Sequence, residues 1–292
     1  MADGEDQETE PSAAASQELL DTAIRGARAG AEVLRHYFRG AENEVRHKGA
    51  HDRVSQADHD SEAAIIAEVC RQFPTHCILA EESGKATRAG DEDPYEWVID
   101  PLDGTSNFLQ GLPVFSVSVA CRYRGEVVVG VVLDPVGDQL FSARRGHGAF
   151  RNGQPIEISQ RGGLDKGFLA TGYPFRARGA LDRYLEVFRD VFLRASSIRR
   201  CGSAALDLAY TAAGVYDGFF EFRLSPWDFA AGVLLVREAG GVVTDLDGGD
   251  GFFTSGNLVA GPRALHGELL ATIRQHVDEQ HMDEIDPRVP VA

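Results

Sequence analysis

The sequence predicts a mixed α and β protein whose two halves differ in character. In the first half, two amphipathic helical segments precede short apolar runs separated by hairpin signals. In the second half, strand-like and helical segments alternate, which implies an α/β layer. The chain has 292 residues, 43% hydrophobic and 25% charged, enough for one large or two modest domains with real cores. No internal repeat or separating linker is visible. One unit is therefore expected over 17–275, its α+β part about 17–155 and its α/β part about 156–275. A disordered extension (1–16) and a polar tail (276–292) are expected to flank it.

The elements follow in order. Residues 1–16 are acidic and rich in Ala and Ser, too polar to pack. Leu20, Ile24, Ala27, Ala31, Leu34 and Phe38 recur at helical spacing, and Gly40 ends that helix. Residues 48–56 are polar and read as a loop. A second helix is expected over about 58–73, with Ile66, Val69, Cys70 and Phe73 on one face and Pro74 as its stop. Residues 77–80 form a short strand, with Glu81-Glu82-Ser83-Gly84 at its end, and 85–94 read as a surface loop. The apolar run Trp97-Val98-Ile99 reads as a buried strand that stops at Asp100-Pro101, because proline cannot donate to a ladder. Residues 114–123, 127–133 and 139–143 are strands, with turns at Arg124-Gly125 and Asn152-Gly153. The second half then predicts a strand at 168–171 and a helix at 182–193. A helix capped by Ser203 ends near Gly214, and a strand covers 218–222. Ser225-Pro226 opens a helix that closes at Gly240-Gly241. Strands at 242–243 and 258–260 and a helix from Pro262 complete the chain.

Bulk properties exclude several functions. A net charge of −16 opposes general binding to nucleic acid or anionic membrane. No apolar run approaches the roughly 18 residues of a membrane span, and residues 1–10 hold no signal-peptide core. Cys70, Cys77, Cys121 and Cys201 show no C-x-x-C spacing, so free thiols in a reducing cytosol are expected rather than a zinc site. The histidines are scattered, and none pairs with a motif.

Carboxylates gather where elements end: Glu81 and Glu82 after one strand, Asp100 and Asp103 after another, Asp228 in the first turn of a helix. Any one alone is usually solvated, and Asp228 alone could complement the helix dipole or cap its turn. Glu81 and Asp100, however, follow directly on apolar runs, and Trp227 precedes Asp228. Several buried carboxylates need a cation, and few Lys or Arg stand nearby, so Mg²⁺ is the natural candidate. Gly104-Thr105-Ser106-Asn107 offers small residues whose N–H groups can face an anion. Carboxylates beside such a cradle would repel a phosphate unless cations lie between them. The stretch thus makes physical sense as a divalent-metal site for a phosphate ester. Nearby Ser and Cys residues lack a His partner, which disfavours a covalent route.

The run Asp100-Pro101-Leu102-Asp103-Gly104-Thr105 resembles the first motif of the inositol monophosphatase family. Trp227-Asp228-Phe229-Ala230-Ala231-Gly232, followed by Glu238-Ala239-Gly240-Gly241, resembles its second, and Glu81-Glu82-Ser83 is similar to its Glu-Glu-Ser element. The likeness runs from about Leu19 to Leu270. It implies a layered αβαβα sandwich, usually a homodimer and cytoplasmic, that acts on a small phosphate ester without nucleic-acid or membrane partners. It implies two to three Mg²⁺ per site, with Mn²⁺ as a substitute and Li⁺ or Ca²⁺ as inhibitors. Glu81, Asp100 and the Leu102 carbonyl would hold the first ion. Asp100, Asp103 and Asp228 would hold the second, and Glu81 would reach a weaker third. Thr105, bonded near Glu81, would orient and help deprotonate the attacking water. The Gly104 and Thr105 amides would bind phosphate, and Gly202, Ser203, Ala204 and Glu221 the hydroxyl-bearing part. Lys48, Asp52 and Asp58 resemble a mobile loop near the third metal. The implied activity is hydrolysis of a polyol phosphate, myo-inositol monophosphate first. Fructose 1,6-bisphosphate (its distal phosphate on Arg176 and Arg178), histidinol phosphate and adenosine 3′,5′-bisphosphate are the alternatives within the fold. A regulatory protein that has lost the chemistry is the alternative outside it.

Overall fold

The computed structural model describes residues 11–38, 40, 45–47, 53–86, 93–174 and 181–277. In chain order the first half comprises α1 (Ala13–Tyr37), β1 (Val45–His47), β2 (Arg53–Ser55), α2 (Gln56–Gln72), β3 (Cys77–Ala80), β4 (Gly84–Ala86), β5 (Tyr95–Asp103) and α3 (Thr105–Leu109). Four antiparallel strands follow it: β6 (Ser116–Tyr123), β7 (Glu126–Asp134), β8 (Gln139–Arg144) and β9 (Ala149–Arg151), with β10 (Gln154–Ile156) at the edge. The second half comprises β11 (Phe168–Thr171), α4 (Leu181–Arg194), β12 (Ser197–Arg199), α5 (Ala204–Ala212), β13 (Gly218–Glu221), α6 (Pro226–Glu238), β14 (Val242–Thr244), α7 (Phe252–Ser255), β15 (Leu258–Gly261) and α8 (Arg263–Ile273).

Five layers result. α1 and α2 pair and cover one face of an eight-stranded sheet ordered β10-β9-β8-β7-β6-β5-β3-β4. α5 and α6 fill the middle, between that sheet and a five-stranded sheet ordered β12-β11-β13-β15-β14. α4 and α8 close the far side. The first sheet is antiparallel except where β3 runs parallel to β5. In the second, β11 is parallel to β12 and β13, and β15 is antiparallel to both its neighbours. Three apolar cores fill the interlayer spaces: one between α1–α2 and the first sheet, one around α5 and α6 that reaches both sheets, and one between the second sheet and α4 and α8. Small residues set the central spacing: a Cβ on Gly130 of β7 would lie 2.9 Å from the Ala231 backbone of α6. That close approach seats α6 on the first sheet.

Several boundaries differ from the sequence reading. The first helix begins at Ala13, its Ser12 cap accepting from the Ala15 amide at 3.2 Å, so residues 13–16 belong to the folded unit. At the other end His276 bonds Asp190 at 2.8 Å and Val277 is buried, so the packed unit reaches beyond 275. Part of the expected 48–56 loop is strand and helix start, and Lys85-Ala86 belong to β4. β5 does not stop at Asp100-Pro101 but continues to Asp103.

Candidate functional site

The continuation of β5 builds the site. Asp100 pairs with Ser118 and Asp103 with Ser116, so β5 carries one more residue than β6 between those pairs. Side chains three apart on a regular strand point to opposite faces; one extra residue brings them to the same face. The bulge therefore turns two carboxylates to one side, and Pro101 sits inside it, where its missing N–H matters least. Glu81 arrives from the other flank: β3 is parallel to β5 with Ala80 opposite Ile99, and the Glu81 amide donates to the Ile99 carbonyl at 3.2 Å. Asp228 comes from the first turn of α6, where its Oδ2 accepts from the Ser225 amide at 2.7 Å as half of a capping box. Ser118 Oγ donates to the Trp227 carbonyl at 3.3 Å and ties that turn to the sheet.

Asp100 is 1% exposed, and the Leu102 amide donates to its Oδ1 at 3.0 Å. Burial, then Glu81, Asp103 and Asp228, push its carboxyl well above the ordinary range. Asp103 Oδ2 accepts from Ser203 Oγ at 2.6 Å and from the Ala205 amide at 2.8 Å. Burial and the facing Asp228 nevertheless raise it to about 7, against the pull of those bonds. The charged groups that act most strongly on Asp100 are all carboxylates. Such a cluster of hard oxygen donors suits a divalent cation, which would remove the mutual repulsion. Glu81, Asp100, Asp103 and Asp228 could hold it. Among the described residues no three His, Cys, Asp or Glu side chains stand in a ready-made metal-holding arrangement, so the carboxylates would turn onto an ion as it enters.

Next to the carboxylates, Gly104 has φ +95°, and a Cβ there would lie 3.0 Å from the Val114 carbonyl; only glycine fits this turn. Thr105 opens the short α3, and its hydroxyl lies 3.2 Å from Asp58 Oδ1 and 3.1 Å from the Leu102 carbonyl. Asp58 is thus a 1%-exposed residue of α2 in contact with Thr105, rather than a member of a mobile loop. Lys48 and Asp52 lie outside the described residues. Gly202, Ser203 and Ala204 reach the site at the start of α5. Glu221 ends β13 at the far side, packed so closely over Gly172 that a Cβ there would collide with its carboxylate.

Glu62 and Ser61 escaped the sequence reading, and Asn107, read there only as part of the anion cradle, serves instead to position the turn. Glu62 on α2 accepts from the Glu82 and Ser83 amides at 2.8 and 2.9 Å and so fixes the turn that carries Glu81. Asn107 donates to the Val114 and Cys201 carbonyls, both at 2.8 Å, and joins the Gly104 turn to the Gly202 segment. Ser61 donates to the Pro101 carbonyl at 2.9 Å and anchors the bulge. Glu62 and Ser61 sit one turn or less from Asp58 on α2, a spacing that could have marked that face; Asn107 follows directly in the Gly104 motif.

The family model described as the inositol monophosphatase family matches residues 15–278. The chain belongs to the inositol monophosphatase family. Membership makes it a phosphoric monoester hydrolase acting on a small molecule, and the family is generally Mg²⁺-dependent. The chain is 46% identical over 267 residues to the Nus factor SuhB of Pseudomonas aeruginosa, covering 89% of this chain and 97% of that one. It is 42% identical over 258 residues to the inositol-1-monophosphatase of Mesorhizobium japonicum, covering 88% and 96%. The crystal structure of extragenic suppressor protein suhB from Bartonella henselae superposes with a TM-score of 0.84 at 41% identity, over 89% of this chain and all of that one. The family's layered α/β architecture is the one described above. Among the described residues no helix is long and apolar enough to cross a membrane.

Proposed function

We propose that this family member hydrolyses small polyol monophosphates, myo-inositol monophosphate first, with Mg²⁺ held by Glu81, Asp100, Asp103, Asp228 and the Leu102 carbonyl. The observation that carries the reading is the pair Asp100 and Asp103, turned to one face by the bulge and raised in pKa first by their burial and then by other carboxylates. When bound, the cations neutralise phosphate oxygens and make an attacking water more acidic. The chain's own groups then set the geometry. Asp58 and Thr105 hold the water, since the Thr105 hydroxyl is fixed against Asp58 and the Leu102 carbonyl. The Gly104 and Thr105 amides bind phosphate oxygens. Ser203 and the Ala205 amide hold Asp103 at one oxygen and leave the other to the ion. Gly202, Ser203, Ala204 and Glu221 receive the hydroxyl-bearing leaving group.

Glu221 decides the ranking of substrates. It accepts hydrogen bonds from hydroxyls but repels a second phosphate, which favours a neutral polyol over adenosine 3′,5′-bisphosphate. The test is a phosphate-release panel with Mg²⁺: inositol monophosphate should lead, ahead of histidinol phosphate, fructose 1,6-bisphosphate and the nucleotide. Preference for the nucleotide would overturn the ranking. We also place Li⁺ and Ca²⁺ as inhibitors, Mn²⁺ as a substitute, and the working form as a cytoplasmic homodimer; the panel with varied ions and a sedimentation run check these.

A second reading comes from the relative's printed name, Nus factor SuhB. A role of that kind in this chain would rest on its surface, and the charge of −16 points to a protein partner rather than bare nucleic acid. Such a role would survive Asp103→Asn, whereas phosphatase activity would not.

A further inference from the structure

We propose that Asp207 is a substrate-binding residue of this site, taking one hydroxyl of the polyol from the α5 side while Glu221 takes another from the β13 side. The proposal rests on the polyol-phosphatase reading above and names a residue that reading does not use. Asp207 lies four residues after Ser203 and three after Ala204, so all three share the face of α5 that meets Asp103. It is 2% exposed. No donor among the described residues reaches its carboxylate, and the groups that act on it are Glu221, Asp103 and Arg200. Its electrostatic neighbours therefore include both a cation-side carboxylate, Asp103, and the polyol-side Glu221.

A buried carboxyl without a donor is costly in a folded chain, and structural carboxylates elsewhere in this molecule avoid that state. Asp217, fully buried, accepts from Ser159 Oγ, from the Phe168 amide at 2.9 Å and from Arg161 at 3.3 Å. Asp207 has no such set. Its oxygens are also not among the fully sealed side-chain atoms that lack a hydrogen bond among the described residues. The small surface it keeps is on the carboxylate. Burial, Glu221 and Asp103 raise its pKa while Arg200 lowers it. A polyol hydroxyl suits either form, because it can donate to a carboxylate or accept from a carboxylic acid. Arg200, stacked over the Tyr173 ring at 5.2 Å, borders the same space and tempers the negative field. Two acidic groups on the leaving-group side make the preferred substrate a neutral body with adjacent hydroxyls.

The test compares Asp207→Asn and Asp207→Leu with wild type on myo-inositol 1-phosphate and on phenyl phosphate, which lacks hydroxyls, with Mg²⁺ titrated on both. For Asp207→Leu, kcat/KM on the inositol ester should fall at least tenfold more than on the phenyl ester, as loss of a hydrogen bond to an acidic group predicts. Asp207→Asn should lie between. The half-saturating Mg²⁺ should stay in place, and Tm should hold or rise. Equal losses on both esters with a shifted Mg²⁺ requirement would make Asp207 part of the cation site and overturn the proposal. An unchanged ratio, or failure of even the near-isosteric Asp207→Asn to fold, would make it structural and overturn it too. Wild type that cleaves phenyl phosphate but no polyol ester would instead bring down the substrate reading, and this proposal with it.

Discussion

Asp100 and Asp217 are both buried carboxylates in the same molecule, and they are buried in opposite ways. Asp217 joins the β11–β13 end of the second sheet to the 159–161 segment through Ser159, Phe168 and Arg161. Asp245 similarly collects the amides of Asp247, Gly249 and Gly251 at 2.8–2.9 Å. Their charge is solvated by the fold. Asp100 accepts from the Leu102 amide and faces Glu81, Asp103 and Asp228. Burial alone therefore does not distinguish a working acid; the company it keeps does. A carboxylate answered by donors holds the chain together, and one answered by other carboxylates awaits something from outside.

The contrast can be broken most sharply by substitution. Asp103→Asn or Asp228→Asn should lower kcat at least ~100-fold, the scale of losing one fixed electrostatic group at a reacting phosphate, while leaving Tm nearly unchanged. Loss of folding with specific activity intact would mean that these groups are structural after all. Asp217→Ala should do the reverse. It strands the Phe168 amide and Ser159 in the interior, so denaturant titration should show a loss of about 2–3 kcal/mol with normal activity per folded molecule.

Acidity separates the two kinds next. Folded Asp103 keeps its proton to about pH 7, whereas in an unfolded chain it is lost near pH 4. Between those values the folded state binds more protons, so the metal-free protein should lose stability as pH rises from about 4 to about 7. Mg²⁺ should restore stability at the upper end, because a cation favours the ionised carboxylates. Melting curves across this range in EDTA and in Mg²⁺ would show it; a metal-free Tm that climbs with pH would count against the cluster. The smallest effect belongs to Gly172→Ala. Its Cβ displaces the Glu221 carboxylate, so KM for a polyol ester should rise a few-fold while Tm barely moves.

Much of this was legible in the sequence. Glu81, Asp100, Asp103 and Asp228 stand at the ends of apolar runs or at a helix start, and local pattern suffices to place them there. What local pattern cannot show is pairing. Pro101 looks like a strand terminator, yet β6 continues alongside and the extra residue becomes a bulge. Asp58 reads only as the start of a helix until α2 lies against β5 and brings it to Thr105. Glu62 and Asn107 act across 20 and 94 residues of chain, distances that only the packed layers close, and the role proposed for Asp207 depends on the same packing. The end residues 13–16, 276 and 277 were misjudged for the same reason: a cap and two side-chain contacts outweigh a polar composition.

The proposed function requires that the buried Asp100, Asp103 and Asp228 and the half-buried Glu81 share a cation. Calorimetric titration of Mg²⁺ into the metal-free protein near pH 6.5, in two buffers of different ionisation enthalpy, tests it most directly. Saturable binding with net proton release is predicted, because raised carboxyls must ionise to take the ion, and the release should shrink in Asp103→Asn. Wild-type protein that takes up no Mg²⁺, or takes it up without releasing protons, would contradict the account.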